Sequence, residues 1–168
     1  MEKAALRIAF TGPESSGKTT LALWLSSFLE LPYMEEYART YLADQMDYQQ
    51  VDLDLIAAKQ VELWPNHGLI ADTEMHVFQI WAVVKYAQVS PRITTLLNAQ
   101  QFDHYFLCAP DIPWEPDPLR ENPLNREMLF GLYLEQLEKY GRNFTILTGH
   151  LENRQELIKV KISELLNS

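Results

Sequence analysis

Cysteine is almost missing from this 168-residue chain, which carries only Cys108. One thiol cannot close an internal disulfide, and metal sites built on cysteine need several. Cys108 lies in the apolar run 105–109, where a buried core thiol is expected. Positive charge is also scarce: 14 Lys and Arg face 23 Asp and Glu, a formal net charge of −9. Neutralising nucleic-acid phosphates takes clustered Lys and Arg, so no DNA or RNA partner is expected. No apolar run approaches the ~18 residues that cross a bilayer, and no signal-peptide pattern opens the sequence. The expectation is no membrane partner and a reducing cytoplasm. The histidines His67, His76, His104 and His150 lack metal-ligand spacing and the paired H-x-G-H arrangement of adenylyl transfer. All four are expected to be structural or solvated. Repeats, low-complexity tracts and linkers are absent too, so residues 1–168 are expected to form one domain.

What remains is a chain with 47% hydrophobic residues, ample for a core, in which short apolar runs alternate with helix-period segments. Strands are expected over 5–11, 31–34, 68–71, 105–109 and 144–147. Helices are expected over 19–29, 37–44, 51–64, 74–88, 92–100, 125–140 and 151–166. In the first of these, Leu21, Leu25, Phe28 and Leu29 recur at helical spacing. Five of the nine prolines fall between Pro110 and Pro123, which reads as an ordered loop or lid over about 110–126. Strands separated by helices imply an α/β fold, a parallel sheet with helices on both faces. Ligands of such sheets gather at the carboxyl ends of the strands. Attention therefore falls on 12–20, 35–36, 72–73 and the loops after 109 and 147.

The first of these segments carries the chemistry. Gly12-Pro13-Glu14-Ser15-Ser16-Gly17-Lys18-Thr19 fits G-x-x-x-x-G-K-[ST], the P-loop, between an expected strand and an expected helix. Gly12 and Gly17 let the backbone turn tightly and bring N–H groups against phosphate oxygens. Lys18 sets a compact positive charge on the β- and γ-phosphates, and the Thr19 hydroxyl suits Mg²⁺. Thr20 follows in the first helical turn, whose N-terminus is itself attractive to anions. ATP with Mg²⁺ is the expected cofactor.

Other polar groups converge on the same strand ends. Asp72 closes an apolar strand, where an acid can support Mg²⁺ or the attacking group; equally, Asp72 or Thr73 could cap the helix that follows. Glu36, at the end of the second strand, can accept a proton or hydrogen bond from an acceptor hydroxyl, or merely pair with Arg39 one helical turn on. Either Glu36 or Asp72 could be the base. Arg120 and Arg126 lie in and just after the proline-rich loop, where guanidinium groups can close over a transferring phosphoryl group. Tyr37, Trp81, Tyr86 and Trp114 could wall an acceptor pocket or belong to the core.

Together these segments resemble the kinase domain of NadR-like proteins. The resemblance rests on Gly-Pro-Glu-Ser-Ser-Gly-Lys-Thr-Thr at 12–20, Glu36-Tyr37-Ala38-Arg39, Asp72-Thr73-Glu74 and Ile80-Trp81. It extends through Cys108-Ala109-Pro110-Asp111-Ile112-Pro113-Trp114, Asp117-Pro118-Leu119-Arg120 and Arg126, so that it spans Ile8 to about Arg154. It implies a P-loop NTPase or nucleoside-kinase type three-layer sandwich, five parallel strands in order 2-3-1-4-5, and a lid bearing arginines. It further implies phosphorylation of the ribose 5′-hydroxyl of nicotinamide riboside by Mg·ATP. Lys18 and Thr19 then hold phosphate and Mg²⁺, and Asp72 is the acid after the third strand. Glu36 and Arg39 are the second-strand motif, and Arg120 and Arg126 are the lid arginines; the residues expected at the acceptor are Glu36, Tyr37, Arg39, Asp72 and Trp81. The partner is a small nucleoside, with a homo-oligomer left open. The competing expectations are a different small acceptor or a regulatory ATP-binding module without transfer chemistry. A GTP switch would need an N/T-K-x-D signature that the sequence lacks.

Overall fold

The computed structural model of the protein describes residues 2–45, 47–115 and 125–168. Five strands, β1 (Arg7–Thr11), β2 (Tyr33–Met34), β3 (Leu69–Ala71), β4 (His104–Cys108) and β5 (Phe144–Leu147), pair in parallel in the order β2-β3-β1-β4-β5. Among the described residues six α-helices connect them, a seventh follows β5, and a short 3-10 turn at Lys3–Ala5 precedes β1. The α-helices are α1 (Lys18–Leu29), α2 (Tyr37–Tyr41), α3 (Gln50–Leu63), α4 (Met75–Tyr86), α5 (Pro91–Ala99), α6 (Arg126–Lys139) and α7 (Leu151–Leu166). The sheet order expected from the resemblance is the one observed.

The central strands are apolar on both faces, and the period of two sorts their side chains between helix layers. Ile8 and Phe10 of β1, with Phe106 and Cys108 of β4, pack under α1 and α7. The intervening Ala9, Tyr105 and Leu107 pack under α6 on the opposite face. The shorter β3 repeats the division. Ile70 joins the α1 side, while Leu69 and Ala71 join α3, α4 and α5. Cys108 is fully buried, as expected, and burial pushes its thiol up to about 11.

Two local readings are refined. Phe28 recurs at helical spacing with Leu21, Leu25 and Leu29, yet it is 50% exposed and stacks on Trp24 at 5.3 Å. The buried stripe runs through Leu21, Ala22, Leu25 and Leu29, and Phe28 falls just off it. Asp72 or Thr73 could have capped α4, but neither is its N-cap. The N-cap is Glu74, whose carboxylate accepts the His76 backbone N–H at 2.7 Å. Glu74 is completely buried and also accepts from Thr11 Oγ1 at 2.6 Å and Gln100 Nε2 at 2.8 Å. The last residue of β1, immediately before the phosphate loop, is thereby joined to the start of α4.

Candidate active site

The loop between β1 and α1 owes its path to its glycines. Gly12 has φ +134°, and a Cβ there would sit 2.7 Å from the Cys108 carbonyl oxygen, so the loop can lie against β4 only without a side chain. Gly17 has φ +88° at the N-cap of α1. Ser15, at φ +55°, takes the left-handed conformation without being glycine. Lys18 Nζ donates to the carbonyls of Gly12 at 2.8 Å and Pro13 at 2.9 Å, so its ammonium lies across the concave side of the loop. Ser16 Oγ donates to Pro13 O at 2.7 Å.

Beside the loop, Asp72 projects from the turn after β3 and is 2% exposed. Its Oδ2 accepts from Thr19 Oγ1 at 2.7 Å and from the Tyr33 hydroxyl at 2.9 Å. Burial, reinforced by the Asp72 carboxylate, holds the Tyr33 phenol far above its usual value, so it stays a donor. Asp72 and Thr19 thus meet as two hard oxygen groups at the carboxyl edge of the sheet.

A cavity of about 450 Å³ opens over this edge. All nine residues from Gly12 to Thr20 line it, including Pro13, Glu14, Ser15 and Ser16. So do Glu36, Arg39, Asp72 and Trp81. Glu36 Oε2 lies 3.3 Å from Arg39 Nε. Trp81 donates from Nε1 to the Tyr48 hydroxyl at 2.8 Å and stacks near Phe78, which fixes its plane. Tyr37 does not line the cavity: its backbone N–H donates to Gln60 Oε1 at 2.8 Å and its ring packs against Tyr41. Arg126 begins α6 and donates to Ser15 O at 3.0 Å, with its guanidinium 5.7 Å from the Trp114 ring centre. Arg120, with the stretch 116–124, lies outside the described residues.

Residues 7–154 match the AAA domain family. The chain belongs to that family. The trifunctional NAD biosynthesis/regulator proteins NadR of Salmonella typhimurium LT2 and Escherichia coli K12 are each 27% identical to it over 150 residues. Those alignments cover 82% of this chain, which spans only 37% of the length of either relative. A NadR protein solved in complex with NR superposes with a TM-score of 0.75 at 20% identity, over 92% of this chain and 49% of that one. Deoxyadenosine kinase from M. mycoides, solved with dCMP and dCDP, gives 0.68 at 18% identity, over 95% of this chain and all of that one. The shared feature is the P-loop kinase fold.

Within this AAA domain, the site leans on residues that no motif announced. Arg154 of α7 is 2% exposed and surrounds itself with loop carbonyls. Its NH1 donates to Ser16 O at 2.7 Å, NH2 to Ala109 O at 2.9 Å and to the Asp111 carboxylate, and Nε to Gly149 O at 3.0 Å. One guanidinium therefore fixes the phosphate loop to the loops after β4 and β5. The sequence did hold a signal: Arg154, Ile158 and Ile162 form the buried stripe of α7, and an arginine in such a stripe needs buried acceptors. Tyr33 carried no comparable mark, and Glu74 stood only as the acid of the Asp72-Thr73-Glu74 segment. Among the histidines, His76 and His104 are buried.

Proposed function

We propose that this domain transfers the γ-phosphoryl group of ATP to the 5′-hydroxyl of a nucleoside, with nicotinamide riboside the preferred acceptor. The observation that carries the reading is a single cavity shared by the phosphate loop and the Glu36–Arg39 pair. Its volume lies in the range of small-molecule sites. Similarity to NadR, including the NadR structure with bound NR, supports the choice of acceptor.

In such a transfer the protein mostly positions groups and neutralises charge. The backbone N–H groups of 14–20 and the Lys18 ammonium hold the β- and γ-phosphate oxygens. The Thr19 hydroxyl and Asp72 carboxylate, 2.7 Å apart, are hard oxygen donors that would hold Mg²⁺. When bound, the ion draws off negative charge from the β- and γ-oxygens. With Asp72 set beside Thr19 for the ion, Glu36, which lines the cavity next to Arg39, is the carboxylate assigned to the acceptor hydroxyl. The hydroxyl oxygen bonds to the γ-phosphorus, the bond to the β–γ bridging oxygen breaks, and the proton passes to Glu36. Arg126 stands at the loop carbonyl of Ser15, where its guanidinium can meet charge on the transferring group. Arg120 is assigned the same task on the resemblance alone.

Incubating the protein with Mg·ATP and a nucleoside panel tests this. Nicotinamide mononucleotide and equimolar ADP are expected. ADP formation and phosphorylated nucleoside both at background would refute the reading. The likeness to deoxyadenosine kinase over that protein's full length favours a second acceptor class, the deoxynucleosides. Faster turnover of deoxyadenosine than of nicotinamide riboside would select it.

A further inference from the structure

One group in the cavity wall has no task in the transfer just described. Tyr133 lies on α6, seven residues after Arg126, so that the two share a helix face with Leu129 between them. Tyr133 is 4% exposed and lines the cavity, as does Leu129. Buried tyrosine hydroxyls ordinarily find a partner. Tyr33, Tyr41 and Tyr86 each donate to an oxygen at 2.8 to 3.2 Å, and Tyr105 accepts from Gln100 Nε2. The Tyr133 hydroxyl makes no hydrogen bond to any described residue. Deep burial, with the carboxylates of Glu74, Glu14 and Glu36 within electrostatic reach, raises the phenol well above its usual value. It therefore remains a protonated donor at any working pH.

Its neighbours also locate it along the cavity. Glu14 of the phosphate loop and Glu36 of the acceptor side line the same cavity as Tyr133, whose wall therefore includes the junction of those two parts. Trp81 and Lys85 line the cavity six and ten residues beyond the start of α4, about 9 and 15 Å along the helix axis from the turn that holds Asp72. A nucleoside whose 5′-hydroxyl faces the γ-phosphate keeps the rest of its sugar at that junction and its base farther along.

We propose that Tyr133 is a specificity-determining contact, donating a hydrogen bond from its phenol to a secondary hydroxyl of the acceptor's sugar. This inference rests on the kinase reading and adds to it a residue and a discrimination. A site built to hydrogen-bond a hydroxyl penalises the analogue that lacks it.

The test compares wild type with Tyr133→Phe, which keeps the ring and its packing. Steady-state kinetics are run with a riboside and its 2′-deoxy and 3′-deoxy counterparts, alongside melting temperature and KM for ATP. We expect kcat/KM for the riboside to fall about 10-fold in the variant. For the deoxy analogue that lacks the contacted hydroxyl, kcat/KM should be nearly unchanged, with KM for ATP and melting temperature held. Equal losses on all three acceptors, or no loss on any, would overturn the contact while leaving the kinase reading intact. Wild-type protein that neither phosphorylates nor calorimetrically binds any of the three would remove the kinase reading and this inference together.

Discussion

The Thr19 hydroxyl donates to Asp72 Oδ2 at 2.7 Å, tying the first turn of α1 to the end of β3 across 53 residues. Asparagine can still accept from Thr19 and Tyr33, but it lacks the charge a divalent ion needs. Asp72→Asn is therefore expected to lower turnover about 100-fold or more while melting temperature moves little. Activity assays beside thermal unfolding decide it. A large melting loss with turnover retained would make Asp72 a structural group.

Lys18→Ala should bring turnover to background and weaken ATP binding in calorimetry, because the ammonium across the loop is its only side-chain cation. Lys18→Arg should fail nearly as badly, since a planar guanidinium does not replace a compact ammonium held at 2.8 and 2.9 Å between two carbonyls. Wild-type rates in either variant would mean that the loop does not hold the reacting phosphates.

Arg154→Ala strips the partner from three loop carbonyls and the Asp111 carboxylate at once. Removing one member of such a buried set costs roughly 3–5 kcal/mol. The urea midpoint should drop accordingly, and ATP affinity should fall with it because Ser16 loses its tether. Arg154→Lys should recover only part of both. Unaltered ATP affinity in a destabilised Arg154→Ala protein would confine the residue to folding.

Stability should decline on mild acidification. Burial, and then the Lys161 charge, holds the His104 imidazole down to about 4 from its usual 6.5. Between those values the unfolded chain binds a proton that the folded one refuses, so stability is lost as pH falls through that window. The loss is of order 3 kcal/mol when it is complete. His76, lowered chiefly by burial, acts in the same direction. His104→Gln can keep the Thr145 hydrogen bond and should flatten the urea midpoint between pH 7 and 4.5 relative to wild type. Parallel pH profiles for the two proteins would contradict this.

The legible parts of this molecule are those encoded locally. G-x-x-x-x-G-K-T needs only eight neighbouring residues, and α7 and β5 start and stop where their apolar patterns do. The strand-end rule also pointed to Asp72 and Glu36 before any distance was known, because a parallel sheet collects the loops after its strands on one edge. What stayed hidden depends on contacts between residues far apart in sequence. Arg154 reaches Ser16 over 138 positions, and Tyr33 reaches Asp72 over 39. Glu74 stands in the sequence only as the acid of Asp72-Thr73-Glu74, and the proximity of Thr11 and Gln100 makes it a buried junction. Tyr133 repeats the four-residue spacing of Leu129 and Leu137, which is also the spacing of a plain core stripe.

Ser15 is where the chain on either side of 116–124 returns to the phosphate loop. Its Oγ accepts the Glu115 backbone N–H at 2.8 Å, and its carbonyl accepts Arg126 at 3.0 Å. The two boundaries of that stretch are thus referenced to one residue in the middle of the anion-binding turn. The side-chain hydroxyl holds one boundary and the main-chain carbonyl holds the other. Two residues 11 positions apart, Glu115 and Arg126, are thus anchored on a single serine of the anion-binding turn.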